Sequence, residues 1–202
     1  MKMRAVLAMV AFGLLAGLIS TFAQQTNSQV APTLASAMQV QLGVVEGQFV
    51  PVAEAMPADK YDFTPTSGNY SGVRSFALEV RHVATANFGF YSLILGQAPP
   101  AGVSFSGATN GPDSLQTKEQ IVKYLKDSFA LGHKAMATLT PENALAPIPN
   151  PPFSAINTRL SIATFSLSHA MDHYGQMVEY LRMNGIVPPP SQGQPPANPP
   201  KN

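Results

Sequence analysis

The sequence predicts an all-α fold, a four-helix bundle with long Pro/Gly-rich connections, and three observations carry that prediction. Apolar residues recur at three- and four-residue spacing over four separate stretches. The segments between them are dense in Pro, Gly, Ser and Asp, the residues of turns and loops. No alternation of the kind a strand needs is found beyond a weak Val103-Ser104-Phe105 fragment. At 202 residues the chain is long enough for one domain with a full core and too short for two of ordinary size. Four amphipathic helices that bury their apolar faces on one another are the most economical solution.

The chain begins MKMRAVLAMVAFGLLAGLISTFA, a short basic start (Lys2, Arg4), an apolar run and small residues before Ala23, which is the three-part pattern of a secretory signal over residues 1–23. The alternative is a retained membrane anchor. An apolar run below the roughly 20 residues that span a bilayer favours cleavage after Ala23, and with it an exported, periplasmic or secreted location. Residues 24–33 form a polar flexible segment. A first helix then follows, with Pro32 in its first turn and Leu34, Met38, Leu42, Val45, Phe49 and Val52 on one face, ending near Pro57.

MPADKYDFTPTSGNYSG is a connection by composition. The second helix covers 71–95 and is apolar over a wide arc, with one stripe through Phe76, Val80, Val83, Asn87, Phe90 and Ile94 and another through Leu78, His82, Ala86, Gly89 and Leu93. GQAPPAGVSFSGATNGPDS breaks the pattern. The third helix starts at Thr117 with Thr-Lys-Glu-Gln, close to a capping box, and offers Ile121, Leu125, Phe129, Gly132 and Met136 to the core. After PENALAPIPNPPF, a fourth helix runs from Asn157 to Asn184, with Gly185 and Pro188 as its stop. The bundle domain thus spans 34–187, and residues 188–202 read as a Pro-rich disordered tail.

Twelve Lys and Arg nearly balance eleven Asp and Glu, with no basic block, so nucleic acid is excluded as a partner. The chain has no cysteine. That removes lipoprotein anchoring, disulfides, thiolate metal sites and a cysteine nucleophile together, and leaves nitrogen and oxygen as the only metal donors. No G-x-S-x-G elbow or phosphate-cradling loop is present.

His169 and His173 stand at i and i+4, one turn apart on one helix face, where both imidazoles can reach a single ion. They continue a stripe through Ile162, Phe165 and Ser166 and on to Met177 and Tyr180. Spacing alone leaves two readings open: a metal pair, or a packed pair in which His169 bonds Asp172 or a neighbouring helix and His173 lies half-exposed at the core edge. His82 supplies a third ligand if the second and fourth helices are neighbours. His133, near the end of the third helix, suits the helix dipole and an exposed position better than a ligand role. HExxH is absent, since Ala170 follows His169.

The run "HYGQMVEYLRMNGIVPPPS" with H-x-x-x-H at its head, the stretch "EVRHVATANFGFY" and the link "AEAMPADKYDFTPTSG" together resemble the DinB-like (damage-inducible) proteins over residues 34–190. The resemblance implies a four-helix bundle with a divalent transition metal, zinc or nickel, on His82, His169 and His173. It also implies an enzyme that activates water or a small thiol toward a small-molecule substrate, either a hydrolase or a thiol-dependent transferase using a cofactor such as bacillithiol or mycothiol. Glu79 or Asp172 would orient an imidazole, and Gln176 and Tyr180 would line the pocket. The alternative is a non-catalytic metal-binding or interaction module of the exported compartment. The expected partner is a small molecule, with no membrane contact after signal cleavage and with a homodimer as an allowed assembly.

Overall fold

Residues 31–105 and 109–194 are described by the computed structural model; the expected signal over residues 1–23, residues 24–30 and the end of the tail from 195 lie outside them. Four α-helices make up the frame, α1 (Leu34–Ala55), α2 (Phe76–Leu95), α3 (Lys118–Ala137) and α4 (Arg159–Met183). Among the described residues there is no strand. Two isolated bridges, Pro147 with Thr158 and Phe153 with Ile156, are all that remain of β pairing, and Val103-Ser104-Phe105 stays in a loop.

The helix starts are local hydrogen-bond events. Thr33, Thr117 and Thr158 each accept the N–H three residues on, and Ser36, Gln120 and Ser161 return a bond to the cap. These reciprocal caps satisfy amides that a helix start otherwise leaves unpaired. Pro32 therefore precedes the cap of α1 rather than occupying its first turn. α2 begins five positions later than the expected range 71–95, because the Ser75 hydroxyl accepts the Leu78 N–H at 3.4 Å and Gly72 at φ +83° cannot continue a right-handed helix. At the other end of α4, Gly185 adopts φ +73°. Its N–H donates to the Arg182 carbonyl and that of Ile186 to the Leu181 carbonyl, the Schellman stop expected of a Gly at that place.

α1 and α2 each pack on both α3 and α4, so the two helices of each of these pairs face each other across the bundle. Side-chain partners set the directions. α2 and α3 run parallel, Thr85 meeting Tyr124 and Asn87 meeting Ser128. α2 and α4 run antiparallel, Glu79 meeting His173 and Phe90 meeting Phe165. α1 and α3 are antiparallel as well, with Gln39 at His133 and Glu54 at Lys126. Parallel neighbours and diagonal links need long crossovers, which explains the Pro/Gly-rich connections.

The core runs through Leu42, Phe49, Phe76, Phe90, Tyr91 and Phe129, all essentially inaccessible. α2 is buried on nearly every face. Gly132 permits α3 to approach it closely, since a Cβ there would lie 2.6 Å from Tyr91 Cε2 and 3.0 Å from Leu42 Cδ2.

The tail departs from its expected disorder at its beginning. Pro189–Ser191 winds a 3₁₀ turn that packs on α1, Pro188 is buried, and Arg182 Nη2 donates to Ser191 Oγ at 3.1 Å. The Schellman turn directs the chain back to the bundle. Prolines with a preset φ lose little further entropy on docking there.

Candidate metal centre

The antiparallel contact of α2 with α4 brings His82 against the i, i+4 pair. One ligand atom from each of His82, His169 and His173 lies within 4.8 Å of the other two. The ring centroids of His173 are 4.7 Å from both His82 and His169. Nε2 of His82 and Nε2 of His169 are 3.2 Å apart. Two nitrogens bound tetrahedrally to one zinc at about 2.0–2.1 Å stand about 3.3 Å apart, so this spacing fits a shared ion.

The outer nitrogens decide which atoms face inward. His173 Nδ1 lies 2.5 Å from Oε2 of Glu79, itself 1% exposed. That bond leaves Nε2 as the ligand atom and orients the ring. His82 Nδ1 lies 3.2 Å from the Thr109 carbonyl and 2.9 Å from its hydroxyl. Because the carbonyl only accepts, Nδ1 carries the proton and Nε2 the lone pair. His169 Nδ1 is buried with no hydrogen-bond partner.

Thr109 takes φ +51°, a strained conformation for a β-branched residue. The loop 109–113 is held there from α2 and its approach. Arg81 Nη2 donates to the Gly111 and Pro112 carbonyls at 3.2 and 2.7 Å, and Arg74 Nε donates to Asn110 Oδ1 at 2.9 Å. Gly111 fits only as glycine, at φ +73° with a Cβ position 2.6 Å from Thr85 Oγ1.

Burial, then the nearby Arg74 and His173, pulls the His82 pKa down to about 4. Burial, His173, His82 and Arg74, in that order, pull His169 down to about 3. Both imidazoles are neutral near pH 7, the state that ligates metal. A cavity of about 230 Å³ opens beside them, lined by His82, His169 and Thr109 together with Ala86, Phe90, Phe105, Pro152 and Phe153. Three clustered imidazole donors, two of them held by their outer nitrogens, are compatible with metal binding.

The other expected site residues divide. Glu79 is the carboxylate that orients an imidazole. Asp172 is exposed and accepts from Gln176 Nε2 at 3.3 Å; it faces away from the cluster, one helix position off the His stripe. Gln176 lines a separate cavity of about 370 Å³ with Arg74 and Asn110. Tyr180 donates to the Arg74 carbonyl at 3.1 Å and meets Phe63 edge-on, so it supports the approach to α2 rather than the pocket. Of the packed-pair reading, the half-exposed His173 does not hold, since that ring is buried on Glu79; His169 meets His82 of the neighbouring α2 at 3.2 Å, and Asp172 pairs with Gln176. His133 is half-buried between Gln39 Oε1 at 2.5 Å and Glu46 Oε2 at 2.8 Å, an α3–α1 link remote from the cluster. Thr109 and Arg81 carried no signal in the sequence, because their roles exist only once a loop 27 residues from His82 folds over it.

A family model described as DinB superfamily matches residues 41–177, a range that includes all three clustered histidines. The crystal structure of a conserved protein from Enterococcus faecalis is similar to this chain, with a TM-score of 0.60 and 16% identity over 76% of this chain and 98% of that one. Identity at that level shows a common fold. No curated protein matches the chain.

Proposed function

This chain belongs to the DinB superfamily, and from that premise we propose that His82, His169 and His173 hold a divalent transition metal, zinc or nickel, in a metal-dependent enzyme acting on a small molecule. The observation that carries the reading is the convergence of three imidazole ligand atoms within 4.8 Å, two of them, from His82 and His169, belonging to side chains that line a pocket. Three protein nitrogens are the ligand number of catalytic sites, which keep a position for an exogenous ligand, whereas structural sites close with four. When bound, such an ion acidifies water or a thiol and polarises a substrate oxygen.

The remaining work falls to the chain's own groups. Glu79 holds His173 and Thr109 holds His82, each by the nitrogen away from the cluster, so the rings are aimed before any ion arrives. Phe90, Phe105 and Phe153 put apolar rings beside His82 and His169, and an apolar surround strengthens electrostatic effects. Hydrolysis and thiol-dependent transfer are the two reactions this site suits. The N-terminal pattern supports an exported location, outside the reducing compartment where small thiols are kept, and that favours water.

The test is elemental analysis and native mass spectrometry of untagged protein purified without chelators. One ion per chain is expected, and H82A, H169A and H173A are each expected to lose it while remaining folded. A protein that stays metal-free in the presence of zinc or nickel refutes the proposal. Full metal retention with no turnover on a broad panel of hydrolysable and thiol-acceptor substrates supports a metal-binding module instead.

A further inference from the structure

We infer that the substrate of this site carries one uncharged, ring-sized apolar group that seats between Phe105 and Phe153, next to its reacting polar head; the inference rests on the metal-site reading. Among the described residues that line the cavity none has a charged carboxylate, ammonium or guanidinium, and the polar side chains are His82, His169 and Thr109, set against Ala86, Phe90, Phe105, Pro152 and Phe153. A ligand here meets mostly carbon, beside two of the three clustered imidazoles. A charged tail would lose its hydration with nothing on the walls to replace it.

Two of the large apolar side chains that the protein leaves exposed flank this same cavity, Phe105 at 39% and Phe153 at 44%. They come from different crossovers, and each is propped by a ring beneath it. Phe105 stacks on Phe90 at 5.2 Å and 28°. Phe153 meets Phe165 at 5.1 Å and 64°. Both arrangements are built in. Gly89 is the condition for the first, since a Cβ there would lie 2.2 Å from Phe105 Cζ, and the bridge between Phe153 and Ile156 turns the second crossover tightly. Exposed aromatic rings that are held in place and face a common apolar hollow are poised for a third ring.

Size sets the group. The cavity is about 230 Å³, and an apolar cavity of about 150 Å³ already accommodates benzene. One substituted ring fits, and a fused or extended system does not.

The test uses metal-loaded protein, with metal content measured in the same sample, and three hydroxamates that share a metal-binding head. Benzohydroxamate is expected to bind at least about tenfold more tightly than acetohydroxamate, the consequence of covering a phenyl group. A hydroxamate with a terminal carboxylate in place of the ring is expected to bind no better than acetohydroxamate. Phe153→Ala and Phe105→Ala are each expected to bring the ratio toward one, with folding checked by circular dichroism and metal content measured in each variant. Equal binding of the three ligands by metal-loaded protein, or binding of none, overturns the ring seat and leaves the metal site standing. Absence of metal in the sample overturns the metal-site reading and the ring seat with it.

Discussion

Removing the Glu79 carboxylate tests the site most directly, because it changes no ligand. Glu79 is 1% exposed and its Oε2 is 2.5 Å from His173 Nδ1, so Glu79→Ala leaves a buried imidazole N–H without its acceptor. An orphaned buried donor costs about 1–3 kcal/mol. For a domain of this size that is a fall in melting temperature of roughly 2–4 °C per kcal/mol. The same carboxylate orients the ring and raises its basicity, and loss of such a partner weakens metal binding by about 10- to 100-fold, or about 1.4–2.7 kcal/mol. Glu79→Gln keeps the shape and an acceptor oxygen but not the charge, so it should recover most of the stability and only part of the affinity. Competition against a chromophoric chelator measures the affinity, and thermal melts of metal-free protein measure the stability. A folded Glu79→Ala protein that binds metal within about twofold of the parent would refute the role assigned to this contact.

Metal-free protein should lose stability as pH falls from 6.5 toward 4. His82 and His169 have folded pKa values pulled down to about 4 and about 3, so below 6.5 the unfolded chain takes up protons that the folded one refuses. The stabilisation is complete above 6.5, and the slope of unfolding free energy against pH should approach about two protons; a flat profile between pH 7 and 4 would contradict the burial of these rings. Gly132→Ala places a methyl 2.6 Å from the Tyr91 ring and is expected to cost about 1–3 kcal/mol by overpacking, seen in denaturant melts, with metal content unchanged. His133→Ala removes a half-exposed link to Glu46, with an expected loss of about 0.2–1 kcal/mol and full metal occupancy by elemental analysis. Loss of the ion from that variant would place the site elsewhere.

Legibility followed the range of the interactions. The Thr-Lys-Glu-Gln cap of α3, the Gly185 stop of α4 and the buried faces of all four helices were readable, because capping bonds act within four residues and apolar periodicity within two turns. The start of α2 was misplaced for a complementary reason. The apolar stripes begin only at Phe76 and Leu78, and the Ser75 hydroxyl bond and the positive φ of Gly72 keep residues 71–75 out of the helix. Asp172 was a plausible orienting group by proximity in sequence. Its position one residue off the His stripe points it to solvent, where Gln176 is its partner.

The amino-acid sequence by itself determined the all-α class, the four helices and the placing of His169 and His173 on one buried face, since each depends on neighbours along the chain. Tertiary structure alone decided that α4 lies antiparallel to α2, so that His82 arrives 3.2 Å from His169 across 87 residues of sequence. It decided equally that Glu79 and a strained Thr109 hold the two outer nitrogens, and that two crossover phenylalanines wall one cavity. Those outcomes depend on which apolar faces fit one another and on where long crossovers can close, terms that no local window of sequence contains.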